Sequence, residues 1–191
     1  ANVPMPGFGR LDAALSVPDI HQGSDSRVEG SVDIELTDMT LIAAVLPIVD
    51  EADGYFKADV RVSGSLSNPL LLGDFSVVDG RVALSTFGVQ LEEINLDSKR
   101  LDDGQMELTG RFKSGDGLAA VFTRSDYAST GAKGFELELR GQNLTLIDVP
   151  DIKARADVDV QVSYDYEQLQ LGGNIVIPHA RVMAGNLIVT Q

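Results

Sequence analysis

The stretch Gly64 to Asp97, GSLSNPLLLGDFSVVDGRVALSTFGVQLEEINLD, shows how the rest of the chain is patterned. Apolar residues occupy every second position on both sides of Asp79-Gly80, a period typical of strands with one wet face. An Asp-Gly pair between two alternating runs is a strong hairpin signal, because Gly and, less readily, Asp tolerate the positive φ of a type I′ turn. We therefore predict two strands joined by a turn at Asp79-Gly80.

The same alternation continues through most of the 191 residues. Its phase switches at Glu92-Glu93, which predicts a bulge or a bend there. The sequence from Asp50 to Gly54 predicts a turn between strands. Two later strands are assigned the apolar phases Met106, Leu108, Gly110, Phe112 and Leu118, Ala120, Phe122. The chain is therefore predicted to be all-β, as a single β-rich domain over residues 1–191.

One segment changes period. From Asp38 to Leu46 the apolar residues fall at helical spacing, with Asp38 placed as the N-cap and Pro47 as the stop. This predicts one short helix near residues 38–46. Because it is short, packing against the sheet must stabilise it.

Composition excludes several classes of function. The net charge of −14 argues against a nucleic-acid partner, because such affinity rests on Lys and Arg neutralising phosphates. The chain has no Cys, and its two histidines, His21 and His179, lie far apart in sequence without metal-ligand spacing. We therefore expect no catalytic residues, no metal site, no cofactor and no enzymatic activity.

A faint internal repeat is also present. Leu71, Gly73, Phe75, Val77, Arg81 and Val82 correspond, at a constant offset, to Leu171, Gly173, Ile175, Ile177, Arg181 and Val182. Alternating strands resemble one another by necessity, so the pattern alone leaves true repetition open.

The apolar face of these strands has two interpretations. If the sheet closes on itself, the face is an ordinary core and the chain is a closed structural β domain. If the sheet is long and curls without closing, the same side chains line an open groove, and an exposed apolar surface of that size marks a binding site. The scarcity of large aromatic residues, with seven Phe and four Tyr, favours the groove.

Four segments together resemble a known family. They are GSLSNPLLLGDFSVVDGRVAL at 64–84, FGVQLEEINLD at 87–97, DMTLIAAVLP at 38–47 and GGNIVIPHARV at 172–182. In order and spacing they resemble the C-terminal conserved region of the TamB family, within the wider AsmA-like group, from about Gly30 to Val182. The chain begins and ends within its strand pattern, so we expect an internal fragment of a longer protein.

The resemblance implies a long, curled, mostly antiparallel open sheet, called a β-taco, with an aliphatic inner groove. It also implies a periplasmic location, a parent protein anchored in the inner membrane, and a TamA-like outer-membrane partner of the BamA family. The client implied is either phospholipid, carried between the membranes, or the strands of unfolded outer-membrane proteins such as autotransporters.

We predict that the groove is lined by apolar residues of one phase, for acyl chains or a client strand. They are Val32, Ile34, Phe56, Val60, Val62, Phe75, Val77, Val82, Leu108, Leu137, Val158, Val160, Val162, Ile175 and Ile177. The first hypothesis is a lipid conduit, in which acyl chains bind without sequence-specific contacts. The second is a strand chaperone, which adds a client strand at an open sheet edge.

Overall fold

Alternation of apolar and polar residues predicts strands, and the backbone forms strands almost throughout. The computed structural model describes residues 2–5, 7–18, 26–40, 43, 47–101, 105–128, 131–165 and 168–183. Eleven antiparallel strands form one sheet, in which each strand pairs with its neighbours in sequence. They are β1 (Asn2–Met5), β2 (Gly9–Ser16), β3 (Glu29–Leu36), β4 (Glu51–Ser65), β5 (Asn68–Leu84), β6 (Val89–Arg100), β7 (Gln105–Ser114), β8 (Gly117–Ala128), β9 (Gly131–Val149), β10 (Ile152–Asp165) and β11 (Gln168–Val182).

The sheet is open. Its two edges are β1 and β11, which do not pair with each other in the described residues. The prediction of an all-β, antiparallel open sheet is therefore confirmed. The alternative of a sheet that closes into a core is wrong for the described part of the chain, because a closed sheet would leave no edge strand.

The hairpin predicted at Asp79-Gly80 is wrong. Strand β5 runs through both residues, and the turn that joins β4 to β5 lies instead between Ser65 and Asn68, which pair with each other. Asp79 does adopt a positive φ of 51°, as a type I′ turn would require. This conformation serves a bulge, because the partner strand continues past it with Gly54 opposite the pair.

The turn predicted at Asp50 to Gly54 is wrong for the same reason. Residues from Glu51 onward belong to β4, and Gly54 is the residue at which β4 shifts register against β5. The break predicted at Glu92-Glu93 is confirmed: β6 and β7 shift register between Glu92 and Asn95, and Glu93 has a φ of 49°.

Further irregularities continue this line across the sheet. Asn143 has a φ of 51° and lies where β9 and β10 shift register, and β10 and β11 shift between Arg155 and Asp157. Each bulge adds a residue to one strand and bends it. Because neighbouring strands carry their irregularities at nearly the same level, the sheet bends along one line that crosses the strands.

The bend brings non-adjacent strands together at one end of the sheet. The β7–β8 hairpin is short, and beyond its tip β6 contacts β9 directly. The buried Ser114 donates its hydroxyl to the main-chain oxygen of Thr145 at 2.6 Å. Gly88, which follows the 3-10 helix Ser85–Phe87, lies against the main chain of Asp148.

Two small apolar clusters lie on the side toward which the sheet bends. Met39, Val49, Ala52 and Val77 form the first, and Phe56, Val82 and Leu96 pack against it. Ala119, Leu144, Ala156 and Val158 form the second, against which Leu139 and Val160 pack. Each fully buried aliphatic side chain contributes about 1.5–3 kcal/mol. Most apolar residues of this face are only partly covered.

The predicted helix falls largely outside the described residues, which omit 41–42 and 44–46. Thr40 and Ala43 have helical backbone, and the amide of Thr40 donates to Asp38 Oδ1 at 2.8 Å. That contact is the one an N-cap residue makes. The helix over 38–46 stays a prediction.

The close approach of β4 to β5 predicts that two glycines differ in how much their substitution destabilises the fold. A Cβ atom at Gly73 would overlap the main-chain oxygen of Asp59 on β4, whereas one at Gly172 would meet nothing within 4 Å. We expect Gly73→Ala to lower the free energy of unfolding by about 1–3 kcal/mol, because β4 and β5 must separate. Gly172→Ala, the control, should change it by less than about 0.5 kcal/mol. Urea titration measures both, and equal effects would contradict the close approach of β4 to Gly73.

Candidate functional site

One unbroken row of directly paired residues crosses the sheet from β2 to β11. Directly paired residues in an antiparallel sheet project to the same side, so the row defines one face. Its members are Gly9, Leu36, Phe56, Val77, Leu96, Gly110, Val121, Leu139, Val160 and Gly173. None is charged. We call this side of the sheet the inner face, and the apolar surface on it the trough.

The predicted groove residues lie on this inner face. In β3 to β5, register connects Val32 with Val60, Ile34 through Ala58 with Phe75, and Leu36 with Phe56 and Val77. In β7 to β11, register connects Leu108, Leu137 and Val162 in one row and Val158 with Ile175 in another.

The remaining four follow from pairing or alternation. Val62 pairs with Gly30 of the same face, and Val82 pairs with Ala52 and packs on the first cluster. Val160 is in the row that crosses the sheet. Ile177 lies at the irregularity of β11, where alternation from Ile175 continues the face. The fifteen residues come from seven strands between β3 and β11, so they form a surface and no compact pocket.

Sequence reasoning assigned β8 to the wrong face. Leu118, Ala120 and Phe122 were predicted to be its apolar phase, but Ala119 is buried and Val121 pairs with Gly110 on the inner face. Phe122 lies on the outer side, with the Arg124 guanidinium 5.6 Å from its ring centre. Both phases of β8 are apolar in sequence, so only pairing with β7 and β9 distinguishes them.

Exposure of the inner face increases toward β11. Val77 and Val158 are buried within the two clusters, and Val60 and Val160 are half-buried. On β11 the inner-face side chains are open to solvent, with Leu171 at 76% and Ile175 at 57% of full exposure. Among the described residues, the apolar face therefore continues uncovered to the last strand, β11.

A buried serine in the middle of the trough has its hydroxyl hydrogen-bonded. Ser98 is 5% exposed, and its hydroxyl accepts a hydrogen bond from the amide of Phe75 at 2.8 Å. This bond occupies an amide just outside the paired part of β5 and β6, whose register begins at Ser76 with Asp97. A buried hydroxyl without such a partner would repel hydrocarbon.

The outer face is polar and charged. Asp12, Asp33, Asp59 and Asp74 are paired side by side across four strands. Elsewhere charges alternate: Glu107 pairs with Arg124 at 3.1 Å and with Lys99 at 3.4 Å. The hydrogen bond from Arg124, ahead of that from Lys99, lowers the pKa of Glu107. Charge on one side and hydrocarbon on the other make the sheet two-faced.

Cavities along the sheet are shallow. One of about 500 Å³ lies where β6 meets β9 and is lined by residues that include Gln90, Glu92, Thr145 and Asp148. His179 is exposed on the edge strand β11, and His21 lies outside the described residues. In the described part of the chain, no group of three or more His, Cys, Asp or Glu side chains is placed to hold a metal.

Comparison with known proteins identifies one curated relative. The translocation and assembly module subunit TamB of Haemophilus influenzae is 25% identical to this chain over 180 residues. The resemblance to TamB is confirmed. The match covers 94% of this chain and 14% of the relative, so the chain corresponds to a small part of that protein. No family model and no solved structure matches.

No helix in the described ranges combines the length and the apolar character that a membrane span requires.

A hydrogen bond on the outer face predicts that the stability of the fold depends on pH. Tyr55 donates to Glu35 Oε1 at 2.5 Å, and this bond, with smaller contributions from Arg10 and Lys57, lowers the pKa of Glu35 below its ordinary 4.5. A lowered carboxyl pKa contributes stability above the unfolded pKa, and that stability is lost as pH falls through the folded pKa. Tyr55→Phe should therefore be less stable than wild type at pH 7, and the difference should shrink below about pH 4.5.

Urea titrations at pH 7, 5 and 3 measure this difference. Tyr164→Phe is the control, because Tyr164 instead stacks its ring on Phe135 with the centroids 5.9 Å apart. A Tyr55→Phe difference that stays constant across the three pH values would contradict the assigned role of Glu35.

Proposed function

We propose that this chain is part of an envelope-biogenesis protein of the translocation and assembly type, and that its trough carries phospholipid acyl chains. The observation that carries the proposal is the uncharged row that crosses ten strands without interruption. Such a surface can bind an acyl chain whatever headgroup the lipid carries.

The dimensions fit a path better than a pocket. Nine strand spacings of about 4.8 Å make the row about 43 Å long. The hydrocarbon core of a whole bilayer is about 30 Å thick, so one acyl chain spans about 15 Å. The trough is therefore longer than its ligand, which suits a conduit in which a lipid occupies successive positions.

The energetics suit movement as well. Each CH₂ group removed from water contributes about 0.8 kcal/mol wherever along the trough it lies. No polar or charged side chain interrupts the row, so no position holds the ligand by a specific polar contact. A ligand held in this way can slide, while its headgroup stays in water at the open side.

The cellular location, the membrane anchor and the partner are proposed from the similarity to TamB. We infer a periplasmic location, a parent protein anchored in the inner membrane and a TamA-like outer-membrane partner. The proposed role is binding and transport, with no enzymatic activity, no cofactor and no nucleic-acid ligand.

Photocrosslinking tests the trough directly. A photoreactive amino acid at position 160 points into the trough, and one at position 161 points out, because consecutive strand residues face opposite sides. We expect phospholipid adducts from position 160 and at least about tenfold fewer from position 161, since only the inner face excludes water from an acyl chain. Mass spectrometry counts the adducts. Equal yields, or no adducts from position 160 at any lipid loading, would contradict the proposal.

Charge in the trough should block lipid without unfolding the sheet. Ile175→Arg places a cation on the inner face at a side chain already 57% exposed, so the fold should tolerate it. Val176→Arg, at 47% exposure on the opposite face of the same strand, is the matched control. We expect Ile175→Arg to reduce lipid adducts from position 160 by about tenfold or more, because hydrocarbon does not solvate charge. Equal loss in both variants would point to an edge effect instead.

A second candidate function is a chaperone for strands of outer-membrane proteins, bound at the sheet edge and in the trough. The observation that favours it is β11, fifteen residues long, exposed along its whole length and the last strand of the sheet that the described residues form. A long apolar edge presents unpaired backbone groups that readily accept another strand.

A further inference from the structure

The faint sequence repeat is matched in the pairing of the strands. From Lys57 with Ser76 to Ser65 with Asn68, every register pair of β4 and β5 recurs one hundred residues later in β10 and β11. Alternation alone does not impose a shared register. The β4–β5 hairpin and the β10–β11 hairpin are therefore structural equivalents.

The inner faces of the two hairpins carry the same residue pair at the same place. Val60 pairs with Gly73 in the first hairpin, and Val160 pairs with Gly173 in the second. Both valines are half-buried. The repeat therefore places a valine opposite a glycine at two separate points of the trough.

At these two glycines the main chain itself forms the surface of the inner face. The atoms nearest to a Cβ built at Gly73 or at Gly173 are main-chain atoms of the neighbouring strand. Two inner-face glycines of the strands in between, Gly110 and Gly141, differ, because leucine side chains fill the corresponding space there. Glycine within a strand allows a ligand or another backbone to approach closely. Each hairpin thus offers a shallow recess beside a valine.

We propose that the trough contains two equivalent acyl-chain sites, one at Val60 and Gly73 and one at Val160 and Gly173. The proposal rests on the proposed lipid function and specifies where along the trough the chains are held. A chain at either site contacts the glycine main chain and packs against the valine. Such contacts are individually small but add up over the length of an acyl chain. Shape, without any polar contact, makes these two positions preferred.

Main-chain pairing favours hydrocarbon over a polypeptide at these sites. Strand β4 pairs with β3 and β5, and strand β10 pairs with β9 and β11. Both strands that carry the valines therefore already have a partner on each side, and an added strand would find no edge to pair with. An acyl chain needs no hydrogen bonds, so it is the ligand that both sites fit.

The spacing of the sites allows both to be occupied at once. Strands β4 and β10 are six strand positions apart in the sheet. At about 4.8 Å per position, at least about 29 Å of sheet separates the two sites. One acyl chain spans about 15 Å, so chains at the two sites do not overlap. The trough can therefore hold two lipids at the same time.

Photocrosslinking at three positions tests the two sites. A photoreactive amino acid replaces Val60, Val121 or Val160, which are all half-buried on the inner face, and the chain is loaded with phosphatidylglycerol. We expect adduct yields from positions 60 and 160 that agree within about twofold, and yields at least about fivefold lower from position 121, which lies between the sites. Equal yields from all three positions would overturn the two sites while supporting a uniform conduit. No adducts from any position would contradict the conduit as well.

Native mass spectrometry of charged variants tests whether the sites are independent. The unmodified chain should bind two lipids at saturation. Val60→Arg should bind one lipid and keep the adducts from position 160, because a charge excludes hydrocarbon only from its own site. Val160→Arg should bind one and keep the adducts from position 60. The outward-facing control Gln161→Arg should still bind two. A saturating count other than two in the unmodified chain, or loss of both lipids in a folded single variant, would overturn the proposal.

A milder substitution keeps the test decisive if an arginine variant does not fold. Val60→Thr preserves the size of the side chain but places a hydroxyl in the first site. Circular dichroism and urea titration check its fold. We expect it to reduce the two-lipid species by about threefold or more, with unchanged adducts from position 160, because a hydroxyl against hydrocarbon loses its hydrogen bonds to water. An equal reduction at position 160, or no reduction in the two-lipid species, would overturn the proposal.

Discussion

The structure depends on one constraint, the register in which each strand pairs with its neighbours. Each strand must meet both neighbours with the same set of side chains facing inward, and a shift of one residue at any interface would turn the apolar face to water. Ten successive strands keep that parity from Gly9 to Gly173. The trough is therefore a property of the whole sheet. No single residue creates it, and each strand only continues it.

Bulges reconcile that parity with curvature. A long antiparallel sheet twists and stays open unless something bends its strands, and one inserted residue both bends a strand and changes its phase. Here the extra residues come at nearly the same level in several strands, so that each phase change is matched by its neighbours. Glu93 and Asn143 accept positive φ at these points, as Asp79 does. The cost of the strained residues is offset by keeping one face apolar on both sides of the bend.

The fold class was predictable from sequence, and so was the inward-facing phase of most strands, because period-2 alternation is a local property. The break at Glu92-Glu93 was predictable for the same reason, since the phase changes within the stretch itself. The bulge at Asp79-Gly80 was not predictable, because a type I′ turn and this bulge both place Asp79 at a positive φ. Whether the chain reverses there depends on Gly54 and the strand around it, which lies outside any local window. Strand β8 failed differently: its two faces are both apolar, and only its neighbours choose between them.

The two proposed functions, lipid transport and strand binding, do not exclude each other. At β11, the last described strand, the inner-face side chains Leu171 and Ile175 are mostly exposed to water. Leaving each such side chain exposed forgoes about 1.5–3 kcal/mol of hydrophobic stabilisation. A strand added at that edge would cover these side chains and lengthen the trough by about 4.8 Å. The apolar phase that is proposed to hold hydrocarbon along the sheet would then also contact the added strand, because both proposed ligands need an uncharged surface.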